Sequence, residues 1–338
     1  MAIKVGFRTL IEDSPGLAWQ GLFEQMWPAY RSWFLRSSDV SRPSSLESRR
    51  ALREHMPELV PVWERMVELA GGGDVESRFL SMWCPPAYIG GCSQGVWLEP
   101  DGEPVLLRNY DFAPLLLEGS WLATRWCGQR VAALGDCLWG ALDGMNDAGL
   151  AATLSFGGRK VSGTGFGIPL VLRYVLEVAQ NTAEAIALLQ RVPVSMCYSV
   201  TLLDRNADWA TVFVAPDRPT EVTRHRVVTN FQHQVDWPEH ARATRSEERR
   251  DCLQALIDAQ GPLPQAIDAL LQPPLYQSAF ERGYGTLYSA VYRPRSGGVE
   301  LLWPGQRWAQ TLDGFSAGQR DIVFAAGAAA SSTQPPEV

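Results

Sequence analysis

The chain lacks the residue patterns that mark several large functional classes. Histidine occurs four times, at His55, His225, His233 and His240, and the seven-residue step from His233 to His240 crosses Pro238 and fits no metal motif. Its six cysteines, at 84, 92, 127, 137, 197 and 252, include no C-x-x-C pair and no spacing that recurs with histidine. Neither a zinc site nor a disulfide framework is therefore expected. No run of five or more basic residues appears, and the densest cluster, RATRSEERR, is interleaved with acids. With a net charge of -7 and a pI near 5.3, this argues against a nucleic-acid partner. There is no stretch of 18 consecutive apolar residues, and MAIKVGFRTLIEDSPG has no secretion-signal core. The expectation is a cytoplasmic protein without a membrane partner.

What is present is ordinary globular material, 338 residues of which 46% are apolar and 20% charged. The informative stretch is GGCSQGVWLEPDGEPVLLRNYD, residues 90–111. It reads as a β-hairpin, because Asp101-Gly102 is a strong turn signal between two strand-like runs. Pairing outward sets Leu98 near Val105 and brings Cys92 opposite the segment from Arg108 to Asp111. A thiol, a guanidinium and a carboxylate then meet at one strand end. An adjacent arginine lowers a thiol from its free pKa of about 8.5 by favouring the thiolate.

No histidine lies near this stretch to serve as base. If the Gly91-Cys92 bond is broken, the freed α-amine of Cys92, with a reference pKa of about 7.7 to 8.0, can take the proton of its own thiol. Asp111 would then orient the ammonium form. The Gly90-Gly91 pair would accommodate a strained backbone cheaply. The plain alternative is a small buried strand cysteine beside an ordinary Arg108–Asp111 surface pair.

Four segments, CPPAYIGGCSQ (84–94), LLRNYDF (106–112), LWGALDGMNDAGLAATLSFGG (138–158) and VTNFQ (228–232), resemble the autoproteolytic N-terminal-nucleophile acyltransferases and hydrolases. The resemblance is to the acyl-coenzyme A:6-aminopenicillanic acid acyltransferase type and, more distantly, to choloylglycine hydrolases and penicillin V acylases. It implies that Cys92 is the nucleophile exposed by cleavage after Gly91, with Arg108, Asp111 and Asn230 as its catalytic companions. An Asn stands in the bile-acid and penicillin V branch where this chain has Ser155, whose hydroxyl can donate to an oxyanion but reaches less far. The resemblance also implies an α+β fold, a four-layer αββα sandwich of two antiparallel sheets.

Residues 1–91 read as a helical N-terminal segment, with Ser14-Pro15 opening one helix and a Ser44–Glu47 capping box opening another. It would become a separate, non-covalently held chain after cleavage. Residues 92–322 form the expected catalytic domain and 323–338 a flexible tail. A single helix is expected from about Pro238 to Ala259, with Arg242, Arg245 and Arg249 on a solvated face. GGRKVSGTGFG, residues 157–167, is not followed by a βαβ unit, so it reads as a lid or wall, with Arg159 and Lys160 its only phosphate partners. Trp83, Tyr88 and Tyr110 lie close enough to Cys92 to line an acyl pocket.

The function expected is hydrolysis of a small amide through an acyl-cysteine, with no cofactor and no metal. An acyltransferase using an amide or thioester donor is the alternative, and a non-catalytic small-molecule binding protein on the same fold is the alternative of another class. A homo-oligomer is compatible with either.

Overall fold

The runs VAALGD, GALDGMN, LAATLSF and YSVTLLD are buried at every position. Continuous burial of this kind belongs to a sheet covered on both faces. A computed structural model describes residues 2–36, 42–98 and 102–324. Its strands are β1 (Ile3–Glu12), β2 (Gly91–Trp97), β3 (Val105–Phe112), β4 (Ser120–Thr124), β5 (Val131–Asp136), β6 (Gly140–Asn146), β7 (Leu150–Phe156), β8 (Tyr198–Asp204), β9 (Trp209–Ala215), β10 (Arg218–Thr223), β11 (Val227–Val228), β12 (Gly285–Arg293), β13 (Gly298–Trp303), β14 (Gln306–Thr311) and β15 (Gln319–Phe324). The helices are α1 (Leu17–Arg36), α2 (Ser45–His55), α3 (Val60–Leu69), α4 (Asp74–Ser81), α5 (Ile168–Val178), α6 (Thr182–Arg191), α7 (Pro238–Ala243), α8 (Ser246–Ala259) and α9 (Leu263–Leu270).

Nine strands make one sheet in the order β10-β9-β8-β7-β6-β5-β4-β1-β15, and six make the other in the order β11-β2-β3-β12-β13-β14. Helices α5 and α6 cover the outer face of the first sheet, α8 and α9 that of the second. Between the sheets lies an apolar layer that includes Val96, Leu106, Trp121, Leu142, Leu287 and Trp303. The architecture is the α+β, four-layer arrangement expected, with β1–β4 as a parallel pair in an otherwise antiparallel sheet.

The N-terminal segment differs from the helical expectation. Its helices α1 to α4 form, and Ser44 and Glu47 complete the capping box, but Ile3–Glu12 is a strand inserted between β4 and β15. It pairs in parallel from Arg8↔Ser120 to Glu12↔Thr124 and antiparallel from Ile3↔Phe324 to Arg8↔Gln319. At the other end, β15 carries order to Phe324, past the expected domain limit of 322, and the rest of the expected tail lies outside the described residues. The hairpin pairs Trp97 with Val105 and Cys92 with Tyr110, while Asp101 of its turn lies outside the described residues.

Helix α1 is tied to the first sheet through buried polar groups. Trp19 Nε1–H donates to the Leu138 carbonyl at 3.1 Å, and the Tyr30 hydroxyl lies 2.9 Å from Glu118 Oε2 and 3.0 Å from Asp136 Oδ1. One hydroxyl hydrogen cannot serve two carboxylates. Burial, then the Glu118 charge, raises the Asp136 carboxyl to about 7, against the pull of the Tyr30 and Tyr88 hydroxyls. Its unfolded value is about 3.9, so between roughly pH 4 and 7 the folded chain binds more protons than the unfolded one. This contribution to stability is present at low pH and is lost as pH rises toward 7. The melting temperature is expected to fall by several degrees from pH 5 to pH 8, and Asp136→Asn should flatten that slope in a calorimetric pH series.

Candidate active site

Side chains alternate along β2 and β3, so the two faces of the second sheet carry different parts of the site. Cys92, Gln94, Arg108 and Tyr110 point between the sheets. Gly91 and Asp111 belong to the face covered by α8. The expected convergence at one strand end is thus split by the sheet, with the thiol and Arg108 on one side and Asp111 on the other.

On the inner side, Arg108 Nη2 donates to Cys92 Sγ at 3.5 Å. Arg108 also pairs with Asp143, Nε to Oδ2 at 2.6 Å, and donates through Nη1 to the Leu154 carbonyl. Asp143 accepts from Tyr288 at 2.7 Å and from Tyr292. A buried ion pair contributes little net stability, because desolvation offsets the attraction, and it is the Tyr288 and Tyr292 hydroxyls that fix the Asp143 carboxylate in position. Gln94 extends the polar strip, donating to Thr201 Oγ1 at 2.8 Å and accepting from Thr153 Oγ1 at 2.7 Å.

On the outer side, Asp111 pairs with Arg249 Nη1 at 2.6 Å and accepts from Thr286 Oγ1 at 2.6 Å. Burial raises the Asp111 carboxyl, opposed chiefly by the Arg249 guanidinium. Arg249 Nη2 donates at 2.8 Å to Asn230 Oδ1, which also accepts from the Cys92 N–H at 2.9 Å. Both neighbours can only donate, so this end of the Asn230 amide must be its oxygen. Its Nδ2 faces the Phe156 carbonyl at 3.4 Å. Arg249, expected on a solvated helix face, is fully buried. The expected long helix breaks at Arg245, in the left-handed region at φ 51°, so that Thr244 O can accept from Arg249 Nε at 2.8 Å.

Asn230 is held from several directions. Ser155 Oγ–H donates to the Thr229 carbonyl at 3.1 Å, and Thr229 Oγ1 donates to Ser246 O at 2.9 Å. Gly158, at φ +78°, packs so closely that an added Cβ would sit 2.4 Å from Asn230 O. The 157–167 loop is pinned: Arg159 forks onto Asp217 and Lys160 lies 4.0 Å over the Trp237 ring. His240 is buried against Trp237 and Phe156 and is lowered to about 4 by burial and then by Arg249.

Tyr88 and Tyr110 meet hydroxyl to hydroxyl beside Cys92, and Tyr198 O–H donates to the Tyr88 carbonyl at 3.0 Å. Trp83 sits apart, packed on Phe166 and His55. The thiol itself is 1% exposed. Burial pushes it up to about 11; Arg108 pulls it down as expected, but by less than burial raises it, and Asp111 adds to the rise. Gly91 does not adopt a positive φ. It is required for space, since an added Cβ would lie 1.8 Å from the Tyr284 hydroxyl.

A sequence model of the family described as acyl-coenzyme A:6-aminopenicillanic acid acyl-transferase matches residues 97–308, well over half of the chain. The chain belongs to this family. Its members are enzymes of acyl transfer, and the match takes in Arg108, Asp111, Asp143, Asn230 and Arg249. Among solved structures, a mutant conjugated bile acid hydrolase from Clostridium perfringens is similar at 12% identity and a TM-score of 0.49, over 68% of this chain and 96% of that one. A Caenorhabditis elegans N-acylethanolamine-hydrolyzing acid amidase ortholog is similar at 15% identity and 0.45, over 60% and 93%. Penicillin V acylase from Agrobacterium tumefaciens is similar at 16% identity and 0.42, over 62% and 82%. No curated protein sequence matches the chain. Among the described residues, no cluster of three or more His, Cys, Asp or Glu side chains could hold a metal ion, and no helix is long and apolar enough to cross a membrane.

Residue spacing alone does not single out Asp143 or Arg249. Asp143 is noticeable only as a carboxylate inside an apolar strand. Arg249 shares the spacing of Ser246, Leu253 and Ile257, the buried stripe of α8.

Proposed function

We propose that the chain cuts itself between Gly91 and Cys92 and then hydrolyses a small amide through an acyl-cysteine. The observation that carries this reading is the grip on the Cys92 backbone nitrogen. Asn230 Oδ1 accepts from it, and Arg249 and Asp111 stand directly behind Asn230. An ordinary strand amide needs no such frame, whereas an α-amine that must take a proton from its own thiol does. In the cut protein, the amine accepts the thiol proton, Sγ attacks the substrate carbonyl, and the amine protonates the departing nitrogen. Water then cleaves the thioester, returning the thiol and releasing the acid.

Arg108 holds the thiolate beside Asp143, and Asn230 keeps the amine aimed. Backbone N–H groups and the Asn230 amide, with Ser155 holding the Thr229 carbonyl beside it, stabilise the oxyanion. The acyl chain lies against Tyr88 and Tyr110, whose hydroxyls meet beside Cys92. Hydrolysis is favoured over transfer from coenzyme A because Arg159 and Lys160 are already engaged by Asp217 and Trp237.

Intact-mass measurement of purified protein should give two chains, residues 1–91 and 92–338, in place of one of 37.4 kDa. With a substrate in hand, adding an amine acceptor should leave free acid as the main product. A new amide that dominates at low acceptor concentration, with total acyl release unchanged, would replace the hydrolase by an acyltransferase.

A further inference from the structure

Tyr284 immediately precedes β12 and its hydroxyl is buried without a hydrogen-bond partner. A buried, unsatisfied hydroxyl is costly, and native folds keep few of them. This one lies against Gly91, the residue whose carbonyl would be attacked in self-cleavage, on the α8 face together with Asp111 and Arg249. Burial, reinforced by the Asp111 charge, holds the phenol well above its usual range, so it is a donor at every relevant pH.

The Cys92 thiol comes from the opposite face of β2, between the sheets. When Sγ bonds to the Gly91 carbonyl carbon, the other groups on that carbon bend away from the sulfur. They move toward the face where the Tyr284 hydroxyl waits with its hydrogen unused. We propose that Tyr284 is a catalytic residue of self-cleavage, donating a hydrogen bond to the oxyanion that forms on the Gly91 oxygen. The inference rests on the self-cleaving reading of Gly91-Cys92 and adds a residue to it.

The step balances without a co-reactant. The S–C bond forms as the carbonyl π pair moves to oxygen, and Tyr284 keeps its proton while donating. Collapse breaks the C–N bond, the Cys92 nitrogen takes the thiol proton, and water then cleaves the thioester to the Gly91 carboxylate and the thiol.

Tyr284→Phe removes only the unpartnered oxygen. It should leave the melting temperature unchanged or raised, yet slow the conversion of freshly translated chain into two fragments by about 100- to 1,000-fold, the usual effect of losing one oxyanion donor. Added hydroxylamine, which cleaves a thioester once formed, should not restore the rate. Gly91→Ala should destabilise the fold, and Gly91→Ala with Tyr284→Phe should recover part of the lost melting temperature, because the atom in severe collision is the hydroxyl while the Tyr284 ring carbon and Asp111 Cβ stay tight at 3.0 and 3.2 Å. If wild-type protein splits and Tyr284→Phe splits equally fast, Tyr284 has no part in the step and self-cleavage stands. A loss of stability in Tyr284→Phe would also remove Tyr284 from the step, since the hydroxyl would then have a structural partner. Wild-type protein that never splits overturns both readings.

Discussion

A Cys92→Ala chain is expected to stay a single polypeptide and to release no acid from any amide that the wild type hydrolyses. Removing a nucleophile that acts as part of a unit typically costs on the order of a millionfold, and no other thiol is placed to substitute. Burial and then the Asp136 charge raise the Cys137 thiol well above its usual range, Cys197 donates to the Arg159 carbonyl, and Cys84, Cys127 and Cys252 are only half-buried. The stability cost should be small, since Sγ makes one long hydrogen bond, to Arg108. A denaturing gel and an amidase assay on the same sample decide it. Two fragments from Cys92→Ala would show that another protease, or another bond, is responsible.

Replacing Arg249 with Met should be the most damaging substitution away from the thiol. It leaves the Asp111 carboxylate buried opposite an apolar side chain and frees the Asn230 oxygen that holds the Cys92 nitrogen. Breaking a buried pair from one side costs about 3–5 kcal/mol, and splitting should be lost with it. The companion Asp111→Asn removes the charge that, in the proposed mechanism, would steady the α-ammonium, so activity should collapse while the fold survives. The double variant Arg249→Met with Asp111→Asn separates structure from chemistry. Its unfolding free energy from urea titration should recover by about 1–3 kcal/mol relative to Arg249→Met, because no unpaired charge remains, while activity stays at background. Near-wild-type turnover in a folded Arg249→Met protein would reduce the pair to a structural tie.

The hairpin, the capping box and most strands of both sheets are legible in the sequence because each is a local pattern. LAATLSF reads as a strand wherever it is placed, and Leu150–Phe156 is one. Strands β14 and β15 are not, since QRWAQT and QRDIVF bury only two residues each and look like polar loop. IKVGFRTLIE escapes for a different reason: its partners lie more than 100 and more than 300 residues away, as its pairings with β4 and β15 show. For the site, spacing from Cys92 finds Arg108 and Asp111 but cannot tell that they face opposite sides of the sheet. Nor can it weigh burial, which outweighs Arg108 at the thiol. Arg249 and Tyr284 enter through tertiary packing alone.

The position of β1 has a consequence for making and handling the enzyme. A protein split after Gly91 would not be two modules in loose contact, because the smaller piece supplies an interior strand of the larger piece's sheet. A gene beginning at Cys92 would leave β4 and β15 facing an empty slot, with two unpaired edges open to other chains. Such a product should precipitate or recruit a strand from a neighbour, however intact its catalytic residues. The two pieces should come apart only when the whole sheet melts, so gel filtration of the split enzyme should report one particle and mild denaturant should release both fragments together. In a chain cut after Gly91, residues 1–91 would stay built into the sheet that their first strand completes.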